Sequence, residues 1–245
     1  VRAPAAQRVG VRSGICFPLL EDGQVTGTMD FFATETLSPS PSRLDALRAI
    51  GKLVSQAIER VAAAARQAKA MEDTHTVSEL LREITAATDR QDAMSRALDT
   101  IRHGFDWTYG SYWAVDEADH ALHFVTESGT AGQEFRDVTL AASFREGVGL
   151  SGRAWKARDL VFVEDLAEMT DCVRAPAARR AGVKSGVCLP ILVGGRVVGT
   201  MDFFATRTLV LAPGRQDALR SAAFLLGQAL ERFEAADRLE RAGRE

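Results

Sequence analysis

The sequence contains few of the residues that build disulfide frameworks, metal centres or nucleic-acid interfaces. Its 245 residues include 3 cysteines and 4 histidines, and 30 basic residues stand against 33 acidic ones. No two cysteines are spaced like zinc ligands, the charge gives no basic footprint for nucleic acid, and no apolar run approaches the ~18 residues of a membrane span. We expect a cytoplasmic protein with no disulfide, no metal, no nucleic-acid partner and no membrane span.

The histidines have no catalytic or metal-binding spacing. His120 and His123 are separated by an odd offset, which on a strand would place them on opposite faces. Neither has an acidic residue or a second ligand at the spacing of a known motif, and a haem ligand among the four histidines stays an open alternative without a motif behind it. We therefore predict that the chain is not an enzyme and that it carries no cofactor.

A long internal repeat organises the chain. Residues 1–61 align without a gap to residues 173–233, at an offset of 172, and about 37 of these 61 positions are identical. A period of this length is that of a domain, not of a solenoid repeat. We predict the C-terminal part of a first domain over 1–61 and a complete second copy over 72–235. The incomplete copy has two open explanations, namely pairing with another subunit or a chain that extends before Val1.

The complete copy reads as helices at both ends with strands between them. Helices are predicted over 72–90, 92–105, 151–157, 174–180 and 213–240. Strands are predicted over 111–115, 121–125, 138–140, 160–163, 187–193 and 196–205. Gly194-Gly195 is the turn of a hairpin between the last two strands. A mainly antiparallel sheet with helices at its ends is an α+β fold.

Three segments resemble the GAF family of small-molecule sensor domains. They are GVGLSGRAW at 147–155 with LVFVEDL at 160–166, the hairpin at 186–200, and GTMDFF at 199–204. The resemblance implies a six-stranded antiparallel sheet, with the terminal helices on one face and loops and short helices over a pocket on the other. It also implies a tandem sensor upstream of a kinase, cyclase or chemotaxis output domain, with 236–245 as the start of the output linker.

The resemblance also implies a ligand pocket lined by residues from the middle of the domain. The candidate ligand-binding residues are Trp113, Phe144, Trp155, Phe162, Arg174, Arg179, Cys188, Asp202 and Phe204. Asp202 stands in an apolar strand, and Asp30 has the same place in the first copy. A buried carboxylate needs a partner, which here is either backbone or a ligand amine. Residues 204–217 lack the signature of cyclic-nucleotide-binding members, which disfavours that ligand class.

The cysteines leave one alternative open. Cys16 and Cys188 lie in apolar strands and are predicted to be small core residues. Cys172 precedes a basic segment, and nearby positive charge favours a thiolate. Some GAF proteins attach a bilin through cysteine and others reduce free methionine sulfoxide, but neither arrangement of cysteine and histidine is evident here.

A long connecting helix is predicted over 43–86. Its apolar residues step by four and three positions, as in a coiled coil. The predicted seam consists of Leu47, Gly51, Val54, Ile58, Val61, Ala65 and Ala68. A second apolar face carries Leu44, Ile50, Leu53 and Ala57. We expect a parallel homodimer through this helix, with packing inside one chain as the alternative.

These observations together predict a non-enzymatic sensory tandem GAF module. It would bind an unidentified small molecule and relay the change through dimeric coiled-coil helices to an output domain. The alternatives are a ligand-free dimerisation spacer and a cysteine-linked redox or chromophore sensor.

Overall fold

A computed structural model describes residues 3–242 of the chain. Val1 and Arg2, which open the repeat, and residues 243–245, which end the predicted output linker, lie outside the described residues. The chain divides into two compact units, Val1–Lys69 and Ala70–Glu245. Among residues 3–242, no helix is both long enough and apolar enough to cross a bilayer.

Unit 1 is a small helix, a hairpin and the beginning of a long helix. Its elements are α1 (Ala3–Arg8), β1 (Ser13–Glu21), β2 (Gln24–Ala33) and α2 (Pro41–Ala86), and α2 continues past the end of the unit. The two strands are antiparallel and form a sheet of their own.

Unit 2 is built on a six-stranded antiparallel sheet. Its further elements are α3 (Arg90–Gly104), β3 (Tyr109–Asp116), β4 (Ala121–Gly129), α4 (Gln133–Ala141), β5 (Ser143–Arg145), α5 (Gly149–Ala157), β6 (Val161–Val163), α6 (Ala175–Arg180), β7 (Ser185–Val193), β8 (Arg196–Ala205) and α7 (Pro213–Ala242). The strand order is β5-β4-β3-β8-β7-β6, and every neighbouring pair is antiparallel. The predicted α+β fold is confirmed.

Each face of this sheet has its own apolar core. Met201 and Phe203 of β8 pack with the end of α2, with α3 and with α7, where Leu226 belongs to the same cluster. Phe204 points to the other face and packs with Phe135 of α4 and with residues of α5 and α6. Successive side chains of a strand alternate between faces, so one strand contributes to both cores. The terminal helices lie on one face and the short helices on the other, as the resemblance implies.

The predicted strand over 138–140 is wrong, because these residues belong to α4. Phe135 and Thr139 are the buried residues of that helix, and the Thr139 hydroxyl donates to the Phe135 carbonyl at 2.8 Å. Phe135 and Thr139 lie one helical turn apart. The predicted strand covers only residues 138–140, and three residues are too few to show a helical spacing. The strand of this region is β5, whose Phe144 pairs with Leu122 of β4.

The hairpin of β7 and β8 has the turn that its two glycines predict. Gly194 and Gly195 have φ values of 55° and 76°, the positive angles of the turns that best join antiparallel strands. In unit 1 the same turn consists of Asp22 and Gly23, with φ of 49° and 77°.

The elements of unit 1 coincide with those at the end of unit 2. Adding the sequence offset of 172 to α1, β1 and β2 gives the bounds of α6, β7 and β8, and adding it to the first residue of α2 gives that of α7. The environments differ, since Phe203 and Phe204 are 0% and 2% exposed whereas Phe31 and Phe32 are 51% and 59% exposed. Strands of closely similar sequence therefore lie in two different environments.

The predicted seam of the connecting helix divides between two environments. A Cβ at Gly51 would lie 3.5 Å from the Phe17 ring of β1, and the Leu20 N–H of β1 donates to the Ser55 hydroxyl at 3.1 Å. The half-buried seam residues Leu47, Val54 and Ile58 lie on this same side of α2, which therefore faces the hairpin of its own unit. Among the residues of the two predicted apolar faces, those exposed are Ile50, Leu53, Ala57, Val61, Ala65 and Ala68.

We expect Gly110→Ala to destabilise unit 2. Gly110 of β3 lies opposite Phe203, and a Cβ there would come within 2.7 Å of the Phe203 ring and 3.3 Å of Leu98. Overpacking of a dense core costs about 1–3 kcal/mol, which urea unfolding measures. The control is Gly214→Ala at the start of α7, where a Cβ has no neighbour within 4 Å and alanine favours the helix. Equal stability of the two variants would contradict this packing.

Candidate ligand-binding site

A buried ion pair lies at the centre of the sheet face that the short helices cover. Arg174, which precedes α6, is 1% exposed, and Asp202 of β8 is 0% exposed. The Arg174 Nη2 donates to Asp202 Oδ2. Ser111 Oγ of β3 donates to Asp202 Oδ1, and Ser151 Oγ of α5 donates to Oδ2 at 2.8 Å. The carboxylate therefore has three donors, as a buried charge requires.

Four aromatic rings surround the guanidinium of Arg174, and we call them the aromatic cage. Its Cζ lies 4.9 Å from the ring centroid of Trp113, 5.8 Å from Phe135, 5.0 Å from Phe144 and 4.9 Å from Phe204. A cation within ~6 Å of an aromatic face is attracted by the ring quadrupole. The cage and Asp202 together form a receptor for a positive charge, which Arg174 occupies.

The cage rings brace one another. Trp113 and Phe144 meet edge to face, with centroids 4.9 Å apart, and Phe135 and Phe204 meet the same way at 5.6 Å. The Trp113 indole N–H donates to Ser111 Oγ at 3.0 Å, which leaves the Ser111 proton for Asp202. The walls and the carboxylate are thus held by packing and hydrogen bonds that do not involve Arg174.

Strand register brings these side chains to one place. Across β3 and β8, Ser111 pairs with Asp202, and across β7 and β8, Cys188 pairs with Asp202. The turn Gly147-Val148-Gly149 leads into α5, which carries Ser151. Gly147 and Gly149 have φ of 85° and 63°, a region that favours glycine, and these angles set the direction in which α5 leaves the turn.

The charges of the site are fixed by burial and by Asp202. Burial alone would lower the pKa of Arg174, but the attraction and hydrogen bond of Asp202 outweigh it, so the pKa lies above its ordinary value. Burial, and then the Asp202 charge, raise the pKa of the Cys188 thiol far above its usual range. Arg174 is therefore a cation, and Cys188 is a neutral thiol.

The guanidinium is incompletely satisfied by its surroundings. Besides its bond to Asp202, it makes two longer contacts of 3.4 Å each to the hydroxyls of Ser111 and Ser151. Its buried Nε has no hydrogen-bond partner among the described residues. An arginine side chain offers five N–H donors. The cage and Asp202 compensate the positive charge of Arg174, but they leave part of this donor capacity without a hydrogen-bond acceptor.

Most of the predicted ligand-binding residues meet at this centre. The structure brings together Trp113, Phe144, Arg174, Cys188, Asp202 and Phe204. Phe135, Ser111 and Ser151 belong to the same centre but were not predicted. The helical spacing from Phe135 to Thr139 is the signal that could have identified Phe135. The two serines carry no signal beyond being small polar residues in apolar segments.

Three predicted residues lie elsewhere. Phe162 packs against the core on the terminal-helix side, because in the short strand β6 it alternates with its neighbours Val161 and Val163, which pack against the cage-side core. Arg179 is exposed on α6. Trp155 packs on the outside of the Trp113 and Phe144 cluster and lines an open cleft of about 560 Å³ beside the β7–β8 turn.

The loop before Arg174 is tied to the start of α5. The Gly149 N–H donates to Asp171 Oδ2 at 3.2 Å, and Arg153 donates to Asp171 Oδ1 at 2.7 Å. Cys172 is buried in the cage-side core and is a free thiol, as is Cys188. These contacts position Arg174 without touching Asp202.

A surface group at the β3–β4 turn has the composition of a metal site. Ligand atoms of Asp116, Asp119 and His123 lie within 4.8 Å of one another, and all three residues are exposed. Asp116 and Asp119 accept the backbone N–H groups of Ala118 and Ala121, and His123 pairs with Asp119 at 2.8 Å. These bonds close a turn, and turn closure accounts for the group.

We expect Arg174→Ala to destabilise the protein strongly. Removal of one partner from a buried ion pair leaves the carboxylate of Asp202 uncompensated, which costs about 3–5 kcal/mol in the free energy of urea unfolding. The control is Arg153→Ala, whose ion pair with Asp171 is solvent-exposed and is screened by water. Similar small losses for both variants would contradict the central place of this pair.

Comparison with known proteins agrees with the fold of unit 2. The GAF domain family matches residues 87–231, whereas no curated protein sequence matches the chain. A GAF domain of a phosphoenolpyruvate-protein phosphotransferase from Coxiella burnetii is 14% identical, with a TM-score of 0.59 over 69% of this chain and 98% of that one. The free methionine-R-sulfoxide reductase from Neisseria meningitidis, in complex with its substrate, is 18% identical, with a TM-score of 0.58 over 69% and 93%.

A third solved structure is similar over the same region. The GAF domain of A. aeolicus nlh2 in an inactive state is 14% identical, with a TM-score of 0.54 over 66% of this chain and 96% of that one. At these identities the likeness shows the fold alone. The family match covers more than half of the chain, so this protein belongs to the GAF domain family, a family of sensory and regulatory domains.

Proposed function

We propose that this chain is a sensory module in which a small molecule binds at the aromatic cage and the terminal helices carry the change to an output domain. The observation that carries the proposal is the alternation along β8. Asp202 and Phe204 of this strand face the cage, and Met201 and Phe203 face the helix-side core. A movement of the Asp202 carboxylate would therefore move β8, and with it the side chains of Met201 and Phe203 under the helices.

The helices that would receive this change are joined to each other. Arg215 of α7 donates to Asp73 of α2 at 2.6 Å through Nη2 and at 3.1 Å through Nε, and both side chains are largely buried. Both of these bonds end on Oδ1, and Nε also donates to Oδ2 at 3.3 Å, so the guanidinium engages both carboxylate oxygens, which fixes orientation as well as distance. Interdigitated cores repack between discrete arrangements more readily than they deform, so the pair is suited to move as one body.

We further propose that unit 1 is part of a second GAF domain of the same type. The identical residues at offset 172 and the coincidence of the element bounds support this tandem arrangement. Helix α2, which begins in unit 1 and ends in unit 2, would be the covalent route between the two domains.

A binding role is favoured over catalysis by the state of the thiols. The thiolate is the reactive form of cysteine, and burial keeps Cys188 protonated. Cys172 is also buried, whereas Cys16 of β1 is exposed, so its prediction as a core residue is wrong. A ligand-free dimerisation spacer and a cysteine-linked redox or chromophore sensor stay as alternatives, and the next experiment separates them.

We expect wild-type protein to bind a member of a defined panel of nucleotides, amino acids, aromatic acids, amines and free methionine-R-sulfoxide. Native mass spectrometry measures binding, and hydrogen exchange is expected to slow in α3 and α7 as well as at the cage. Ser151→Ala removes a donor to a charged group, which weakens binding about tenfold. The compound is expected to be recovered unchanged in the presence of dithiothreitol.

The control is Ser221→Ala on the exposed side of α7, where the hydroxyl donates only to the Asp217 carbonyl. It should bind as the wild type does. Absence of binding across the panel would favour the spacer, and turnover of methionine-R-sulfoxide or a coloured purified protein would favour the cysteine-linked alternative.

We also propose that the chain forms a homodimer through the outward stripe of α2. Ile50, Leu53 and Val61 are 51%, 64% and 71% exposed, and together with Ala57, Ala65 and Ala68 they line the helix at steps of three and four. Large exposed apolar stripes of this kind mark association surfaces. Leu47, Val54 and Ile58 are assigned to the hairpin side and not to the dimer.

We expect light scattering to give twice the 26.5 kDa chain mass for the wild type at tens of micromolar. Leu53→Glu should give the single-chain mass, because association would bury an unpaired charge. The matched control is Val210→Glu, which changes the same charge at a residue 85% exposed in a loop and should stay dimeric. A monomeric wild type would refute this interface.

A further inference from the structure

We propose that the ligand of the aromatic cage carries a cationic head, a guanidinium or a quaternary ammonium, and that it binds by displacing the side chain of Arg174. The inference rests on the proposed sensory function and names the chemical class of its ligand. Arg174 is then an internal ligand that holds the site closed until an external cation replaces it.

The first argument is the charge that stays behind. Asp202 is fixed in the middle strand and has two serine hydroxyls besides Arg174. When the arginine leaves, a buried carboxylate loses its counter-charge, and such a charge is tolerated only when it is paired. A cation restores the pairing, whereas a neutral or anionic ligand leaves Asp202 uncompensated or repelled.

The second argument is the shape of the walls. Trp113 and Phe204 both lie 4.9 Å from the guanidinium carbon, and Phe144 lies at 5.0 Å. Aromatic rings on several sides of one position are the surroundings that bind guanidinium and methylated ammonium groups. The rings and Ser111 support one another, so this receptor is formed independently of the side chain that fills it.

The third argument is that Arg174 does not use all of its hydrogen-bond donors in this position. Its Nε is buried without a partner, and it makes no side-chain cap for α6. The preceding residue, Val173, is 58% exposed, between the buried residues Cys172 and Arg174. The ion pair that ties α6 to α4, Arg180 with Glu134, is exposed, and such pairs contribute little.

An anionic ligand that binds to a resident Arg174 fits these contacts poorly. Both Nη atoms of Arg174 are already engaged with Asp202 and the two serines. An anion placed on the remaining Nε would lie beside the Asp202 carboxylate, and like charges at that separation repel strongly. The geometry therefore favours exchange of one cation for another.

The test uses the full 245-residue chain and four small probes at matched ionic strength. The probes are methylguanidinium, tetramethylammonium, neutral methylurea and anionic benzoate. Thermal shift and isothermal titration measure their binding to the wild type and to Arg174→Ala. Methylguanidinium should bind Arg174→Ala at least about tenfold more tightly than the wild type, since an occupied site reduces apparent affinity by the fraction that is open.

Specificity is tested with two further variants. Adding Asp202→Asn to Arg174→Ala should abolish the binding of methylguanidinium and tetramethylammonium. Arg207→Ala, which removes an exposed arginine that pairs with Asp106 outside the cage and its loop, should bind the probes as the wild type does. If Arg174→Ala does not fold, Arg174→Lys keeps a positive charge with a poorer fit and should still bind methylguanidinium more tightly than the wild type.

Several results would overturn the inference. One is binding of methylurea or benzoate by Arg174→Ala as tightly as methylguanidinium. Another is cation binding by Arg174→Ala with none by the wild type at a hundredfold higher concentration, which makes Arg174 a fixed structural partner. A neutral or anionic compound from the larger panel that binds wild type and is lost in Arg174→Ala would overturn the cationic class alone. No binding by any compound to either protein would remove the sensory function as well.

Discussion

The carboxylate of Asp202 is buried in the central strand pair of a six-stranded sheet, and its charge determines which side chains surround it. Removal of this charge from water has to be compensated locally, and the compensation comes from three separate elements. Strand β3 supplies Ser111, α5 supplies Ser151, and the segment before α6 supplies Arg174. Elements far apart in sequence are therefore fixed to one point by electrostatics, and the aromatic packing follows from filling the space around that point.

The same strand explains how such a centre is coupled to the rest of the domain. Alternation along β8 places the carboxylate one residue away from Met201 and Phe203, which belong to the core under the terminal helices. One face of the sheet therefore carries the buried ion pair, and the other face packs against the apolar side of the terminal helices. Strand β7 connects the two faces in the same way, because Cys188 packs on the side of the ion pair and its neighbours Val187 and Leu189 pack under the terminal helices.

Long and strongly patterned segments were predictable from the sequence. Two apolar runs with a Gly-Gly turn between them predict the hairpin of β7 and β8, and the length of the helical patterns predicts the terminal helices. Asp202 and Arg174 were both recognised as candidates, but their pairing was not, because 28 residues separate them and only the fold brings them together. Phe162 was assigned to the wrong face of the sheet because a strand of three residues is too short to show which side chains point to which face. The heptad spacing in α2 is the same whether the helix packs on a partner helix or on the hairpin of its own unit.

In the proposed displacement, Arg174 acts as a ligand that the backbone ties to its site, and this tether has a consequence of its own. A tethered group presents a constant effective concentration to its site, which depends on the length and stiffness of the connection. The concentration at which an outside cation would prevail therefore depends on the loop that Asp171 anchors to α5, as well as on the affinity of the cage for that cation. Changes in that loop would tune the sensitivity of the domain while leaving its chemical preference intact.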